Sequence, residues 1–256
     1  MPRGSSAASS LIPPEEVSAS GGASRHTECS LDVEYKPLRD FLRFVPTETC
    51  SDYILDMVEV FEDRQQGSSR HLQLLIDEAS KVTHSKLQFK EPPGGSPAYL
   101  FALVAYTLEL DGVPQEHQFY VVLNKLLQER AAASLRAAEG YLHFLLSGIQ
   151  ALQSQPEKDF FRGVPAHSLH IFADMYKEGV VVHWSGVTSV SESEQVAKRL
   201  TGPGGVLLRV TARSANEAEC LLFPNFEAVV TRSIGKRPDG CYEVKVVQKV
   251  EQKYVF

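Results

Sequence analysis

The four cysteines of this 256-residue chain, Cys29, Cys50, Cys220 and Cys241, are widely spaced, and no two form a C-x-x-C pair. That excludes a zinc site of the usual ligand spacing. Two states remain open, free thiols in a reducing compartment or two disulfides in a secreted protein. The eight histidines show no metal spacing either, so no metal is expected. Positive charge is not in excess: 26 Lys and Arg against 32 Asp and Glu give a formal net charge of −6. A general attraction to phosphate backbones is therefore missing, and nucleic acid is not an expected partner. A basic groove inside an acidic protein stays compatible with this balance. Long apolar runs are lacking as well. The most apolar stretch, Tyr99 to Tyr106, is far shorter than the about 20 residues a membrane-spanning helix needs, so no membrane is expected. No charged-then-apolar leader opens the sequence, which makes a cytoplasmic protein the expectation. No internal repeat is visible.

What is present is an ordinary globular composition, 43% hydrophobic and 23% charged. Residues 1–30 are rich in Ser, Ala, Gly and Pro, with little to bury, and read as a disordered tail. From Leu38 to Gln153 apolar residues fall at helical spacing. Ile54, Leu55, Val58 and Phe61 make one stripe; Leu72, Leu75, Ile76 and Ala79 make another. The run from Glu91 to Pro97 breaks the pattern, with Ser96 and Pro97 as cap and first-turn residues of the next helix. That helix extends from Pro97 to Leu110, and two more follow at Pro114–Ala131 and Ser134–Leu152. After Pro156 the pattern changes. Val180 to Trp184, Val206 to Val210 and Ala228 to Thr231 are β-branched or apolar runs, and Tyr242, Val244 and Val246 alternate as a half-buried strand should. Helices at His167–Lys177 and Ser191–Leu200 interrupt them. Helices first and strands later predict an α+β protein. The expected organisation is a tail over 1–30, a helical extension over 31–92, and a catalytic domain over 93–256, with a helical part 93–155 and a β core 156–256.

Three segments carry chemistry. In Phe160-Phe-Arg-Gly-Val-Pro165, an arginine stands within an apolar strand, where an unpaired buried charge would be costly. It either grips a phosphate or ribose, with Gly163 admitting a ligand close to the main chain, or pairs with a surface carboxylate. In Val182-His-Trp-Ser-Gly-Val-Thr-Ser-Val-Ser191, an apolar strand runs into small hydroxyl residues. Ser191 with Glu194 has the form of a capping box, and Ser189 could be a turn residue. In Asn216-Glu-Ala-Glu-Cys-Leu-Leu-Phe-Pro224, Glu217 and Glu219 stand two apart, on one face of an extended chain. Their mutual repulsion implies a nearby cation, or else a solvated loop before a strand.

The order of these segments, Arg162, then Ser189 and Ser191, then Glu217 and Glu219, resembles the Arg–Ser–Glu signature of cholera-toxin-like mono-ADP-ribosyltransferases. The likeness is nearest to the arginine-specific branch. Tyr176, Gly179, Trp184-x-Gly-x-Thr-Ser and the Phe226-x-Ala-Val-Val segment agree with it, as do Ala105-Tyr106-Thr107 and Leu123-Asn124-x-x-Leu127 upstream. The resemblance covers residues 97 to 256. It departs from the usual Ser-Thr-Ser at Val190, and the short Arg213-Ser-Ala-Asn216 loop lacks an aromatic residue often found there for target recognition.

What the resemblance implies is a core of two packed antiparallel sheets, preceded by helices, with an NAD cleft. NAD would be a co-substrate, and the partner a target protein with an acceptor arginine. Arg162 would hold the NAD phosphates or the adjoining ribose. Main-chain groups of Gly163 would read the nicotinamide carboxamide. Ser189 would orient the catalytic glutamate, and Ser191 would order the strand end. Glu219 would stabilise an oxocarbenium-like transition state, and Glu217 would bind and deprotonate the arginine. Two other readings stay open: an NAD glycohydrolase, which needs Glu219 but not Glu217, and an inactive NAD- or partner-binding module, which needs neither. Poly-ADP-ribose synthesis would ask for a His–Tyr–Glu pattern that is not evident. Trp184, Phe223 and Phe226 are expected in the core, Asn124 as a helix-packing polar residue, and Cys220 as a buried thiol.

Overall fold

The helix-period sequence before residue 153 and the β-branched runs after residue 156 fold into two separate units in a computed structural model of the chain. It describes residues 17–18, 38–62, 68–129, 131–152, 157–166, 169–201, 204–212, 215–216 and 220–249. Apart from 17–18, the expected tail lies outside these residues.

The first unit is all helical: α1 Leu38–Arg43, α2 Cys50–Asp56, α3 Val58–Glu62, α4 Ser68–Leu87, α5 Pro97–Thr107, α6 Phe119–Glu129, α7 Ala132–Ala137 and α8 Glu139–Ala151. α2 opens with a capping box in which Thr49 Oγ1 accepts from the Asp52 N–H while the Asp52 side chain accepts from the Thr49 N–H. The stripe expected through Ile54, Leu55, Val58 and Phe61 is broken at Met57, which ends α2. Ile54, Met57 and Phe61 are buried as a result, and Leu55 turns outward. Leu72, Leu75, Ile76 and Ala79 all face the core, as their spacing predicts. α8 is buried along most of its length and packs against α1, α2 and α5. α4 packs on α2, α3 and α5, so helices on both sides of residue 92 share this unit. Ser96 sits at the cap position of α5 without a side-chain cap bond. Asn124 Nδ2 donates to the Tyr106 hydroxyl at 2.9 Å, tying α6 to α5 in the role expected for it.

The second unit is built on two sheets. Its strands are β1 Val17–Ser18, β2 Lys158–Val164, β3 Val181–Trp184, β4 Thr188–Val190, β5 Val206–Ala212, β6 Ala215–Asn216, β7 Cys220–Leu222, β8 Phe226–Lys236 and β9 Tyr242–Gln248. The larger sheet has the order β1-β3-β8-β9-β5-β2, and the smaller β4-β7-β6. Two helices belong here, α9 Leu169–Met175 and α10 Glu194–Thr201. The two antiparallel-rich sheets are as expected, with one pair in the larger sheet, β5 and β9, running parallel. After β5 the chain leaves to build β6 and β7, then returns through the antiparallel pair β8 and β9, so β9 arrives beside β5 in the same direction.

The core lies where one face of the large sheet meets the small one. Phe160, Leu208, Val210, Val244 and Val246 pack there with Val190, Cys220 and Leu222. Trp184 and Phe226 stack in it with ring centroids 4.9 Å apart, and the Trp184 Nε1–H donates to the Tyr176 hydroxyl at 3.0 Å. Phe226 is buried as expected, whereas Phe223 is half-buried at the strand end. On the opposite face of the large sheet, Ala197 of α10 packs with Leu207, Cys241 and Phe161.

Candidate functional site

Strand β2 presents the first of the three segments. It pairs with β5 in unbroken register from Lys158↔Ala212 to Val164↔Val206, so its side chains alternate strictly between faces. Phe160 and Val164 enter the core between the sheets, and Arg162 between them takes the same face. Arg162 is only 8% exposed. A guanidinium so placed requires hydrogen-bond acceptors. One of them is the Ser189 carbonyl oxygen, to which Nη1 donates at 2.9 Å.

The second segment meets the first at a second point. Phe161 and Ser191 exchange both main-chain bonds, N–H to O=C, at 2.7 and 2.8 Å. Arg162, Ser189 and Ser191 therefore lie together. Between the serines, Val190 is buried against Cys220 and Leu222. A hydroxyl there would have been buried among apolar side chains, which explains a valine at that position.

Ser191 does not form the predicted capping box. Its Oγ accepts from the Ser193 N–H at 3.1 Å, while Ser193 Oγ accepts from the Val196 N–H at 3.4 Å, so Ser193 caps a helix that starts at Glu194. Ser191 is already committed to the bridge with Phe161, which holds it too far back for the cap. Glu194 turns instead to Lys198 and Arg237, both at 2.8 Å.

Gly163 has two distinct surroundings. A Cβ on it would stand 2.1 Å from the Ala197 carbonyl oxygen, so its Cα is covered by α10 and no ligand enters by that face. Its main-chain groups are another matter. Phe161 turns its N–H and C=O outward to Ser191, and two residues on in the same unbroken strand those of Gly163 turn to the same edge. The edge of β2 is thus the side toward which the Gly163 main chain is turned; the missing side chain answers to helix packing.

The third segment is only partly described. Asn216 of β6 pairs with Cys220 of β7, and Cys220 pairs in turn with Val190 of β4. Residues 217–219, which join β6 to β7, lie outside the described residues, and Glu217 and Glu219 with them. Cys220 is buried, as expected, and its thiol donates to Glu192 Oε1 at 3.8 Å.

Several neighbours escaped the sequence reading. Glu192 also pairs with Lys158 at 2.5 Å, fastening the start of β2 beside the serine segment. Asp159 accepts from Arg209 Nε at 2.8 Å and from Thr211 Oγ1 at 2.6 Å. Those two bonds and the Arg209 charge, Thr211 foremost, hold its carboxyl below the usual range. Tyr176 is fully buried, and burial pushes its hydroxyl far above the ordinary phenol range against the opposing effects of the Trp184 bond and the Arg162 charge. It stays a neutral phenol. Alternation in β2 and β5 is the signal that could have joined Asp159 to Arg209; nothing local in sequence joins Glu192 to Lys158. Among the described residues no group of three His, Cys, Asp or Glu could hold a metal ion, and no helix is long and apolar enough to cross a membrane.

Solved structures resemble this arrangement of elements. The type III effector XopAI from Xanthomonas axonopodis pv. citri is 16% identical over 94% of this chain and 98% of its own, with a TM-score of 0.51. This chain shares the fold of XopAI. A form of XopAI truncated by 70 N-terminal residues gives the same score over 83% of this chain and 93% of its own. The ADP-ribosyltransferase HopU1 of Pseudomonas syringae pv. Tomato DC3000, 13% identical, covers 85% of this chain and 100% of its own at a TM-score of 0.49. Exoenzyme S from Pseudomonas aeruginosa, in a complex with human 14-3-3 protein beta and bound to carba-NAD, is 21% identical over 69% of this chain and 88% of its own, at 0.46. At those two scores neither adds an argument to the XopAI likeness, which at 16% identity speaks for the fold alone. No family model matches the chain, and no curated protein matches it in sequence.

Proposed function

We propose that this chain is a mono-ADP-ribosyltransferase that cleaves NAD and transfers ADP-ribose to an arginine of a target protein. The observation that carries the reading is the bond from the buried Arg162 guanidinium to the Ser189 carbonyl, 2.9 Å long, which unites two of the three segments of the Arg–Ser–Glu signature. The third segment precedes β7 in sequence, and the first residue of β7, Cys220, pairs with Val190, between the two serines.

In this reading Arg162 binds the NAD phosphates or the adjoining ribose through charge-assisted bonds, and the Gly163 main chain reads the carboxamide from the β2 edge. Ser189 orients Glu219, and Ser191 keeps the strand end in place. Cleavage of the bond between nicotinamide and ribose builds positive charge on the ribose, which an ionised Glu219 stabilises. Nicotinamide leaves with the bonding electron pair as a neutral molecule, so no general acid is needed. The acceptor guanidinium is protonated at neutral pH and a poor nucleophile. Glu217 binds it, aims a nitrogen at the ribose C1 atom, and takes up its proton as the new bond forms. That second carboxylate is what favours arginine as acceptor.

Incubation with labelled NAD and agmatine, beside Glu219→Ala and Glu217→Gln, tests the assignment. Label on agmatine that vanishes in both variants, with slow nicotinamide release surviving only in Glu217→Gln, is the expected result. Nicotinamide released by the wild type without label on agmatine would make the protein a glycohydrolase or direct it to another acceptor. NAD binding without turnover would leave a binding module.

A further inference from the structure

Residues 189–197 hold three successive residues of β2, each by a different contact. Phe161 is bonded through its main chain to Ser191, the Arg162 side chain reaches the Ser189 carbonyl, and Gly163 lies under the main chain of Ala197. A Cβ on Gly205 would likewise stand 2.3 Å from the Thr201 carbonyl oxygen and 2.7 Å from that of Val164. Ala197 and Thr201 are one turn apart, on one side of α10. Two glycines thus form a shallow notch across β2 and the approach to β5, and α10 rests in it by a line of carbonyl oxygens.

A helix of eight residues does not hold itself in place. Ala197 anchors α10 on the sheet side. On its other flank Glu194 and Lys198, also one turn apart, reach the turn between β8 and β9. Lys198 Nζ donates to Asp239 at 2.5 Å and to Glu194 at 2.8 Å. Arg237 is where the network converges: it pairs with Glu194 at 2.8 Å, with Glu243 of β9 at 2.7 Å and with Asp239 at 3.6 Å. Isolated surface ion pairs contribute little, but one guanidinium serving three carboxylates is a different case. Without it, Lys198 still serves Glu194 and Asp239, and Lys245 stands 3.8 Å from Glu243. No cation among the described residues then links Glu194 at the start of α10 to Glu243 of β9, and the helix loses that tie to its seat.

We propose that Arg237 is a positioning residue for Arg162. Through Glu194 it seats α10 in the glycine notch, and the seated helix fixes the β2 edge from which Arg162 and Gly163 address NAD. The functional half of this rests on the transferase reading; the structural half does not.

Hydrogen exchange and steady-state nicotinamide release from NAD, measured on the full chain with Arg237→Met and Arg237→Lys, test both halves. Exchange should quicken in residues 158–164 and 189–201 of Arg237→Met and stay unchanged in β3 and the helical unit. The KM for NAD should rise roughly three- to tenfold with kcat within about twofold, the pattern of a lost ground-state contact. Arg237→Lys, which keeps the charge but not the planar fork, should fall between. Unchanged exchange over 158–164 overturns the proposal. So does a lower kcat at unchanged KM, since a structural defect that merely reduces the folded fraction gives that result. A wild type that neither binds NAD nor releases nicotinamide would sink the functional reading, and the exchange measurement would still decide the seat of α10.

Discussion

The Arg162 guanidinium donates to the main-chain carbonyl of Ser189, 27 residues further along the chain, at 2.9 Å. An arginine buried to this degree is held by acceptors that cannot move away, since a strand carbonyl is fixed by its ladder. It is therefore set in one direction before any ligand arrives. Such pre-organisation favours a planar, bidentate anion over a point charge.

Arg162→Lys tests that geometry. Lysine keeps the charge but offers no fork and a shorter reach. NAD affinity, measured by titration calorimetry, should fall by roughly tenfold or more. The fluorescence of Trp184, the sole tryptophan, should show a folded β unit in the variant. Undiminished affinity would remove Arg162 from the phosphate-binding role.

Gly163→Ala separates two reasons for a glycine. Were it needed only for ligand approach, alanine would weaken NAD binding and leave the free protein as stable as before. The 2.1 Å that would separate the new Cβ from the Ala197 carbonyl oxygen requires α10 to shift instead. Unfolding of the free protein should therefore move to lower denaturant by about 1–3 kcal/mol, the usual cost of overpacking. An unchanged midpoint would return the glycine to the ligand.

Much of this site was legible in the sequence and some of it was not, for definite reasons. That Arg162 needs a partner follows from a charge in an apolar strand. The sequence offered a ligand phosphate or a surface carboxylate, and the Ser189 carbonyl that accepts from it could not be read from local chemistry. The order of helices and strands followed from apolar spacing, which local chemistry controls. The parallel pairing of β5 with β9 did not follow, because it depends on where the chain goes between them. The start of α10 did not follow either, for a similar reason. Ser191 and Ser193 are both good caps, and what decides between them is the bond from Ser191 to Phe161, a residue far away in sequence. Gly163 carried a signal with two meanings, and only the position of α10 separates them. The network around Arg237 joins residues that no local pattern links.

Tyr176→Phe probes the hydrogen bond behind the arginine. The Trp184 Nε1–H donates to the Tyr176 hydroxyl at 3.0 Å with both groups buried. Removal of the hydroxyl leaves an indole N–H without an acceptor in the core, at a cost of about 1–3 kcal/mol. Trp184 reports directly on its own surroundings, so the fluorescence-detected unfolding midpoint should drop by that amount. A midpoint equal to wild type would mean that another acceptor takes the proton.

Thr83 offers the opposite case in the helical unit. Its hydroxyl is buried in α4 and has no hydrogen-bond partner among the described residues. Thr83→Val keeps the branched shape and replaces the unsatisfied oxygen by a methyl group. Stability followed by circular dichroism should be equal or higher by up to about 1 kcal/mol. A clear loss would show that the hydroxyl has a partner in solution.

Asp159 makes stability depend on acid in a direction that can be worked out. Its carboxyl is held below the ordinary aspartate range, first by the Thr211 hydroxyl and then by Arg209. A group whose folded pKa is depressed adds stability that is fully present above its unfolded pKa of about 3.9. That contribution fades as pH falls below this value and is gone once the folded protein also takes up the proton. Asp159→Asn cannot titrate, and an amide accepts less strongly from a guanidinium. The variant should be less stable than wild type at pH 6, by an amount kept small by the partial exposure of the pair. Urea unfolding at a series of pH values should show that gap constant down to about pH 5, then narrowing steadily toward pH 2. A gap that stays constant across the series would mean that the carboxylate charge does not contribute, and that the link between β2 and β5 at this point is one of shape alone.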